Sequence, residues 1–423
     1  MRRVSFQTLG CKLNQYDTQL LMESFAVSPA YRVVEPNEPA DICIVNTCTV
    51  TAKTDRQSRN LIMRTARSEP RPFIVVTGCF AEVSPEEAAS VQGVDMVIGN
   101  RTRRLDFERA FGVSISRSVR SFSNHTRAFV KVQEGCANSC SYCIVSAARG
   151  RGRARSSEEI FSETERLARR GFKEVVLTGT DLGRYSDERG NDLAGLIEML
   201  EGIDGLERIR LSSIHPDRIQ KPLLDIYSRP TKLCPHMHLS IQSGDDGILH
   251  SMSRSYGRED CVRAVESLLG VRPDMAIGAD MIVGFPGEDE QGFENTADFV
   301  KGSGLGYLHV FPFSARKGTG AALMQGRVDP ETKKRRAAIL RMLGDSKWAE
   351  YRKRFLGVEL ECLVESRRKD GMLVGLSSNY LHVRFDGDDR LTNTMVSLEL
   401  TDLDGPLNYG RLRPSLNRSS RVR

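Results

Sequence analysis

The chain has 423 residues, enough for about two to four domains with complete hydrophobic cores. It contains no apolar run long enough to cross a bilayer, and its first residues lack the apolar segment of a signal peptide, so we predict a cytoplasmic protein. Ten cysteines in such a chain favour metal or redox chemistry over disulfides, and the net charge of +6 is compatible with a nucleic-acid partner.

Strands and helices alternate over the first 115 residues, which favours a doubly wound sheet of parallel strands. Strands are predicted at 4–9, 41–46 and 73–77, and helices at 15–25, 51–67 and from residue 84. Two residues beyond each strand stands a cysteine: Cys11, Cys48 and Cys79. Open α/β sheets bind ligands at the carboxyl ends of their strands, so neighbouring strands would bring three thiolates to one crevice. The alternative is small residues buried at strand ends, and Cys43, inside its strand, is expected in the core.

A second group of three cysteines follows a Ser- and Arg-rich segment, 112–124, that predicts a linker. Cys136, Cys140 and Cys143 have the spacing C-x3-C-x2-C. Disulfides need an even number of thiols and a structural zinc needs four ligands. Three thiolates on one short loop therefore favour a four-iron cluster with one iron free of protein ligands. The alternatives are three unrelated thiols or a zinc knuckle without its fourth ligand.

The central segment predicts an incomplete barrel. Six strands are predicted, at 128–132, 174–178, 208–212, 237–241, 276–283 and 307–311, with helices between most of them. Barrels of this kind place their chemistry at the strand carboxyl ends, where the cysteine loop after the first strand lies. His215 and His238 have no partner at ligand spacing and are expected to be neutral and hydrogen-bonded.

Four arginines follow the cysteine loop: Arg149, Arg151, Arg153 and Arg155. Near an open active-site face they suit contacts with phosphate, and a solvated arginine run is the alternative.

The last part of the chain predicts a helix and a small all-β barrel. Asp329 is placed to cap a helix that begins at Pro330. Short strands at 358–363, 372–376, 380–385 and 395–400 then alternate with turns. Residues 408–423 are rich in arginine and contain no acidic residue, which favours RNA as a partner.

Five motifs together resemble those of the radical S-adenosylmethionine (SAM) methylthiotransferases. They are TLGCKLNQYD at 8–17, NTCTVT at 46–51, TGCFAE at 77–82, the C-x3-C-x2-C loop, and SSNY at 377–380, which resembles the TRAM domain. The resemblance covers nearly the whole chain. It implies an α/β fold with a methylthiotransferase amino-terminal domain (1–115), a radical SAM core built on a partial (β/α)6 barrel (122–355), and an OB-like TRAM domain (356–416).

The resemblance also implies the cofactors and their ligands. Two [4Fe-4S] clusters are expected, one on Cys11, Cys48 and Cys79 and one on Cys136, Cys140 and Cys143. The second cluster would cleave SAM to a 5′-deoxyadenosyl radical, and no acid–base catalytic side chain is expected. Residues at family SAM-contact positions are Tyr142, Gly179, Thr180, Ile282 and Gly284, although a structural turn explains Gly284 equally well.

The implied activity is transfer of a methylthio group to C2 of N6-threonylcarbamoyladenosine at position 37 of tRNA, because residues 8–17 most resemble that branch. The alternatives are N6-isopentenyladenosine in tRNA, an aspartate of a ribosomal protein, or a non-catalytic iron–sulfur electron carrier. Expected partners are the tRNA anticodon stem-loop and a reducing electron donor, with no membrane and no DNA partner.

Overall fold

The computed structural model describes residues 1–122, 125–365 and 370–413. The chain begins with a sheet of five parallel strands in the order β2-β1-β3-β4-β5. The strands are β1 (Arg2–Thr8), β2 (Tyr31–Val33), β3 (Ile42–Thr47), β4 (Phe73–Gly78) and β5 (Met96–Ile98). The helices are α1 (Lys12–Ala26), α2 (Ala52–Ala66), α3 (Cys79–Val83), α4 (Pro85–Ser90) and α5 (Arg103–Phe111).

Both faces of this sheet are covered, because successive residues of a strand point to opposite sides. In β3, Ile42 and Ile44 pack in one core with α1 and α5, whereas Cys43 and Val45 pack in another with α2 and α3. The doubly wound fold and the core position of Cys43 agree with the sequence analysis. Strands β2 and β5 were missed, since three residues are too few to show an alternating pattern.

Six parallel strands form the centre of the molecule. They are β6 (Arg127–Lys131), β9 (Glu174–Thr178), β10 (Arg208–Leu211), β11 (His236–Gln242), β12 (Ala276–Val283) and β13 (Tyr307–Pro312), and β7 (Gln133–Glu134) and β8 (Arg153–Ala154) form a small separate ladder. The helices are α6 (Val145–Arg149), α7 (Ser157–Arg169), α8 (Leu193–Glu201), α9 (Lys221–Tyr227), α10 (Asp246–Ser251), α11 (Arg258–Val271), α12 (Glu290–Gly302) and α13 (Pro330–Lys353).

The six strands make an open barrel. One ladder has the order β10-β9-β6 and the other β11-β12-β13, and single bridges such as Ile214 to Leu239 join them. In the part of the chain that the structure describes, β6 and β13 do not pair, so the barrel is open on that side. This is the predicted partial barrel.

Five strands close into a small barrel at the end of the chain, in the order β14-β15-β16-β18-β17. They are β14 (Glu359–Val364), β15 (Leu373–Ser377), β16 (His382–Phe385), β17 (Met395–Asp404) and β18 (Leu407–Arg413). The sequence analysis missed β18 and assigned most of it to the basic tail, because polar residues dominate its pattern. The tail beyond residue 413 lies outside the described residues.

The predicted linker is packed between domains over the residues that the structure describes. Val113, Ile115, Val119 and Phe122 are all buried in the main core. Residues 123 and 124 lie outside the described ranges. No helix among the described residues is both long and apolar enough to cross a membrane.

A buried carboxylate fixes the position of the carboxyl-terminal barrel. Glu174 at the start of β9 is fully buried and accepts a 2.7 Å hydrogen bond from Nε of Arg210. Arg210 and Arg208 also donate to backbone carbonyls of Ser378 (3.0 Å) and Leu376 (2.8 Å) in the small barrel. The arginines therefore connect a charge inside the central barrel with the backbone of the next domain.

Candidate metal centres and active site

The amino-terminal thiol trio (Cys11, Cys48 and Cys79) lies at the carboxyl ends of three adjacent strands. Cys11 precedes α1, Cys48 follows β3, and Cys79 begins α3 directly after β4. In the sheet β3 pairs with both β1 and β4, so the three strand ends are neighbours. Cys48 and Cys79 are buried, and Cys11 is exposed.

Glycines permit the close approach of these strand ends. Gly10 and Gly78, each directly before a trio cysteine, have φ of +108° and +98°. A Cβ at Gly10 would lie 2.7 Å from Cβ and 3.1 Å from Sγ of Cys48, and one at Gly78 would lie 2.3 Å from the Thr47 carbonyl oxygen. A larger residue would therefore have both an unfavourable backbone conformation and a steric clash.

Two asparagines hold the same strand ends together, and the sequence analysis did not single them out. The Asn14 side chain donates to the carbonyls of Leu9 (2.7 Å) and Thr47 (3.0 Å), and its Oδ1 lies 4.0 Å from Sγ of Cys79. Asn46 donates to the Asn14 carbonyl at 2.9 Å. Both asparagines are completely buried. Asn14 lies in the motif at 8–17 and Asn46 in the motif at 46–51, and these motif positions could have identified both residues from the sequence.

The loop trio (Cys136, Cys140 and Cys143) begins where the first barrel strand ends. Gly135, with φ of +78°, precedes it, and a Cβ there would lie 2.3 Å from the Arg151 carbonyl oxygen. The Cys136 amide donates to the Gly150 carbonyl at 3.1 Å, which closes the base of the loop. The three thiols are half-buried.

Arg254 lies beside the loop trio, and the sequence gave no reason to select it. Its Nη1 lies 3.2 Å from Sγ of Cys140, and its guanidinium lies 5.8 Å from the ring centre of Tyr142 and 5.2 Å from that of Tyr256. A fixed cation beside a cysteine ligand would stabilise the thiolate form and any anionic group bound there.

The thiols of each trio lie close enough to influence one another's charge. Burial, with smaller contributions from the neighbouring Cys79 and Cys11, raises the pKa of Cys48 to about 11. Burial likewise raises the pKa of Cys143 to about 11, with Cys140 and Cys136 adding to it. All ten cysteines are free thiols. Each trio can therefore present three ligands to a metal centre, whose binding would displace the thiol protons.

A cavity of about 230 Å³, here the first cavity, has in its walls residues that are close in sequence to both trios. Its walls include Val50 and Thr51, which follow Cys48, as well as Tyr142 from the cysteine loop and Ile282 from β12. It is lined mainly by apolar groups, and its polar residues are Thr51, Gln242, Asp280 and Ser314. The lining suits a planar ring such as a nucleobase.

The other predicted SAM contacts lie outside this lining. Gly179 lies against Gln133, whose Oε1 would be 3.0 Å from an added Cβ and accepts from the Thr180 amide at 2.9 Å. Gly284 has φ of +72°, and its amide donates to Glu288 at 2.6 Å. The turn accounts for glycine at position 284, and ligand contact by these three residues remains a prediction.

The four arginines after the cysteine loop divide into two pairs. Arg149 and Arg155 form internal ion pairs, with Asp17 at 3.1 Å and Glu163 at 2.6 Å, respectively. Arg151 and Arg153 are exposed. Only the exposed pair has the geometry for the predicted phosphate contacts.

The barrel also groups three polar residues that are distant in sequence: His238, Asp280 and His309. Nε2 of His238 lies 3.1 Å from Nδ1 of His309 and 3.6 Å from Asp280. Burial lowers the pKa of both His238 and His215 to about 4, so each is neutral at pH 7, as the sequence analysis expected. The sequence did not predict the grouping, because it depends on strands β11, β12 and β13 lying side by side.

The glycine before Cys79 offers a direct test of the amino-terminal trio. Gly78→Ala should lose about half of the bound iron, because the Thr47 carbonyl leaves no room for a Cβ. Iron and sulfide analysis after anaerobic reconstitution measures this. Gly112→Ala is the matched control, since Gly112 has φ of +64° but open space around its Cβ position. Full iron content in Gly78→Ala would contradict the assignment.

Comparison with known proteins identifies the domains. Residues 3–99 match the family described as uncharacterized protein family UPF0004, and residues 130–300 match the radical SAM superfamily. Among solved structures, the radical SAM methyltransferase TsrM from Kitasatospora setae has a TM-score of 0.55 at 16% identity, over 74% of this chain and 73% of that one. At this identity the likeness shows the fold alone.

Relatives extend over nearly the whole chain. The threonylcarbamoyladenosine tRNA methylthiotransferase MtaB of Aquifex aeolicus is 38% identical over 404 residues, covering 91% of this chain and 97% of the relative. The Bacillus subtilis protein of the same name is 36% identical, covering 97% and 96%. The tRNA-2-methylthio-N(6)-dimethylallyladenosine synthase of Magnetococcus marinus is 34% identical, covering 95% and 98%. With both domain matches in one chain, these similarities show that it belongs to the radical SAM methylthiotransferase family of tRNA-modifying enzymes.

Proposed function

We propose that this enzyme adds a methylthio group to C2 of N6-threonylcarbamoyladenosine at position 37 of tRNA. The observation that carries the proposal is the first cavity, which has residues next to both thiol trios in its walls. A base in that cavity would lie between a radical source and a sulfur source. The names of the two most similar relatives described above support this substrate over the dimethylallyl form.

We assign the amino-terminal trio to one [4Fe-4S] cluster and the loop trio to the other. The donor set fits, because three thiolates bind three of the four irons of a [4Fe-4S] cluster and leave the fourth iron open. When bound, the loop cluster with SAM would supply a radical that can take hydrogen from an unactivated carbon, and the other cluster would supply sulfur. The chain itself positions the reactants: Tyr142 and Ile282 line the cavity, and Arg254 supports the loop trio.

We further propose the anticodon stem-loop as the bound part of the tRNA and a reducing protein or small molecule as the electron donor. Exposed Arg151 and Arg153, beside the cysteine loop, are placed for phosphate contacts. The domain boundaries proposed are 1–115, 122–355 and 356–416. A tRNA substrate also supports a cytoplasmic location.

Mass spectrometry of tRNA nucleosides from a deletion strain tests the function. We expect loss of the 2-methylthio form of N6-threonylcarbamoyladenosine, with the unmethylthiolated nucleoside retained, and recovery when the intact gene is restored. Loss of the methylthio form of N6-isopentenyladenosine would instead assign the enzyme to the branch of the family that modifies that nucleoside in tRNA. Unchanged tRNA with an altered ribosomal protein would overturn the RNA assignment.

A further inference from the structure

A second cavity, of about 170 Å³, lies inside the central barrel and is built by all three domains. Lys12 comes from the amino-terminal domain, His236 and His238 from β11, and Tyr380 from the carboxyl-terminal barrel. Asp280 lines this cavity and the first one, so the two adjoin. Its volume corresponds to roughly five or six water molecules, which suits a substituent and not a whole nucleoside.

Charged side chains of both signs line the second cavity. Three cations line it, Lys12, Arg127 and Arg210, against a single carboxylate, Asp280. Arg210 is paired with Glu174, and Arg127 with Glu365 at 3.0 Å. The Lys12 side chain makes no hydrogen bond or ion pair with any residue in the described ranges. It also follows Cys11 directly and therefore lies next to the proposed sulfur-supplying cluster.

Polar and aromatic groups also line the second cavity. His236 is buried and donates to or accepts from the Tyr307 hydroxyl at 2.8 Å, while its Nδ1 has no hydrogen-bond partner within the described part of the chain. Tyr380 stacks on His236 with ring centres 4.1 Å apart. Tyr380 adopts φ of +73°, a strained conformation for a residue other than glycine, as is common at ligand sites.

We propose that the second cavity binds the carboxylate-bearing substituent of the modified adenine, with Lys12 as the ion-pair partner of that carboxylate. The inference rests on the proposed function. With the base in the first cavity, its N6 substituent would pass Asp280 and enter the second. The unpaired Nδ1 of His236 then offers a hydrogen bond to the ureido or hydroxyl group, and His309, whose Nδ1 contacts His238, lies beside it in the lining. An apolar isoprenoid substituent would leave the buried Nδ1 of His236 without a hydrogen bond and would gain no ion pair with Lys12, so the cavity selects against it.

The test compares two anticodon stem-loop RNAs, one with N6-threonylcarbamoyladenosine and one in which the threonyl carboxylate is converted to the primary amide. Cluster-loaded wild-type protein should bind the acid about 10- to 100-fold more tightly than the amide, the range for one charge-assisted bond. The same preference is expected in kcat/KM. Lys12→Gln should reduce the acid-to-amide ratios of affinity and of kcat/KM to near 1. Lys12→Arg should retain most of the preference for the acid. Lys317→Gln, a surface lysine variant, should behave as wild type.

Incomplete cluster loading does not change the acid-to-amide ratio of affinity or of kcat/KM, because both RNAs are measured with the same preparation and therefore with the same fraction of active enzyme. If Lys12 only balances the charge of the neighbouring metal centre, Lys12→Gln changes both RNAs equally and the ratio persists, which overturns the proposal. Equal binding of the two RNAs by the wild type also overturns it, while turnover of the acid would leave the proposed function intact. Preferential binding of the acid without any methylthiolation would support the subsite and reject the proposed function.

Discussion

Cys140→Ala is expected to abolish SAM cleavage, whereas Cys48→Ala is expected to retain SAM cleavage and lose methylthio transfer. The two residues belong to different trios, on the cysteine loop and at the end of β3. An alanine leaves an iron without its thiolate, so each variant should lose one cluster and bind about four iron atoms per chain in place of about eight. The separation of the two activities follows from the division of roles between the clusters.

The measurements are iron content, 5′-deoxyadenosine formed with reductant, and methylthiolated RNA formed under the same conditions. Cys43→Ala is the matched control, because Cys43 is a buried thiol in the same strand that leads to Cys48 but packs in the core. It should keep full iron content and both activities. Full iron content in both Cys140→Ala and Cys48→Ala would contradict the two-cluster assignment.

Asp17→Asn is expected to lower the free energy of unfolding by about 3–5 kcal/mol, the range for removing one partner of a buried ion pair. Asp17 is 2% exposed and contacts Lys131 at 2.8 Å, Arg103 at 3.1 Å and Arg149 at 3.1 Å. The neutral amide would leave these cations buried around an uncharged group. Lys131 and Arg149 belong to the central domain. The loss of stability therefore falls on the contact between the amino-terminal and central domains, which carry the two trios.

The contribution of Asp17 to the free energy of unfolding should decrease as the pH falls. Burial would raise the pKa of Asp17, but Lys131, Arg103 and Arg149 outweigh it and hold that pKa well below the usual value. The ionised carboxylate therefore stabilises the folded state above the unfolded-state pKa of about 3.9, and this contribution declines as the pH falls below it. Urea unfolding at pH 7 and near pH 3.5 measures the free energy of unfolding of each protein. The difference in this free energy between wild type and Asp17→Asn should be smaller at the lower pH.

A surface ion pair provides the comparison. Asp41 contacts Arg3 at 3.8 Å, and both side chains are more than 40% exposed. Asp41→Asn should cost less than about 1 kcal/mol, because exposed pairs gain little over hydration. If Asp17→Asn and Asp41→Asn lowered the free energy of unfolding equally, the ion pairs of Asp17 with Lys131, Arg103 and Arg149 would not act as a buried contact between the domains.

The parts of the fold that the sequence predicted are those with local signals. Long apolar strands such as β3 and β12 produce strong patterns, and the cysteines were found because their spacing and strand-end positions carry chemical meaning. Strands β2 and β5 are too short for such a pattern, and β18 is mostly polar. The phosphate hypothesis for Arg149 and Arg155 failed because a run of arginines does not reveal which members meet a buried carboxylate.

The amino-acid order alone specified the alternation of strands and helices, the two trios of thiols, and the glycines that precede three of those six cysteines, since each is a feature of neighbouring residues. It did not specify which distant groups meet. The first cavity, the contact of Arg254 with Cys140, and the second cavity shared by Lys12, His236 and Tyr380 all result from strands and domains packing side by side. Such contacts form between residues that are far apart in the sequence, where no periodicity along the chain connects them.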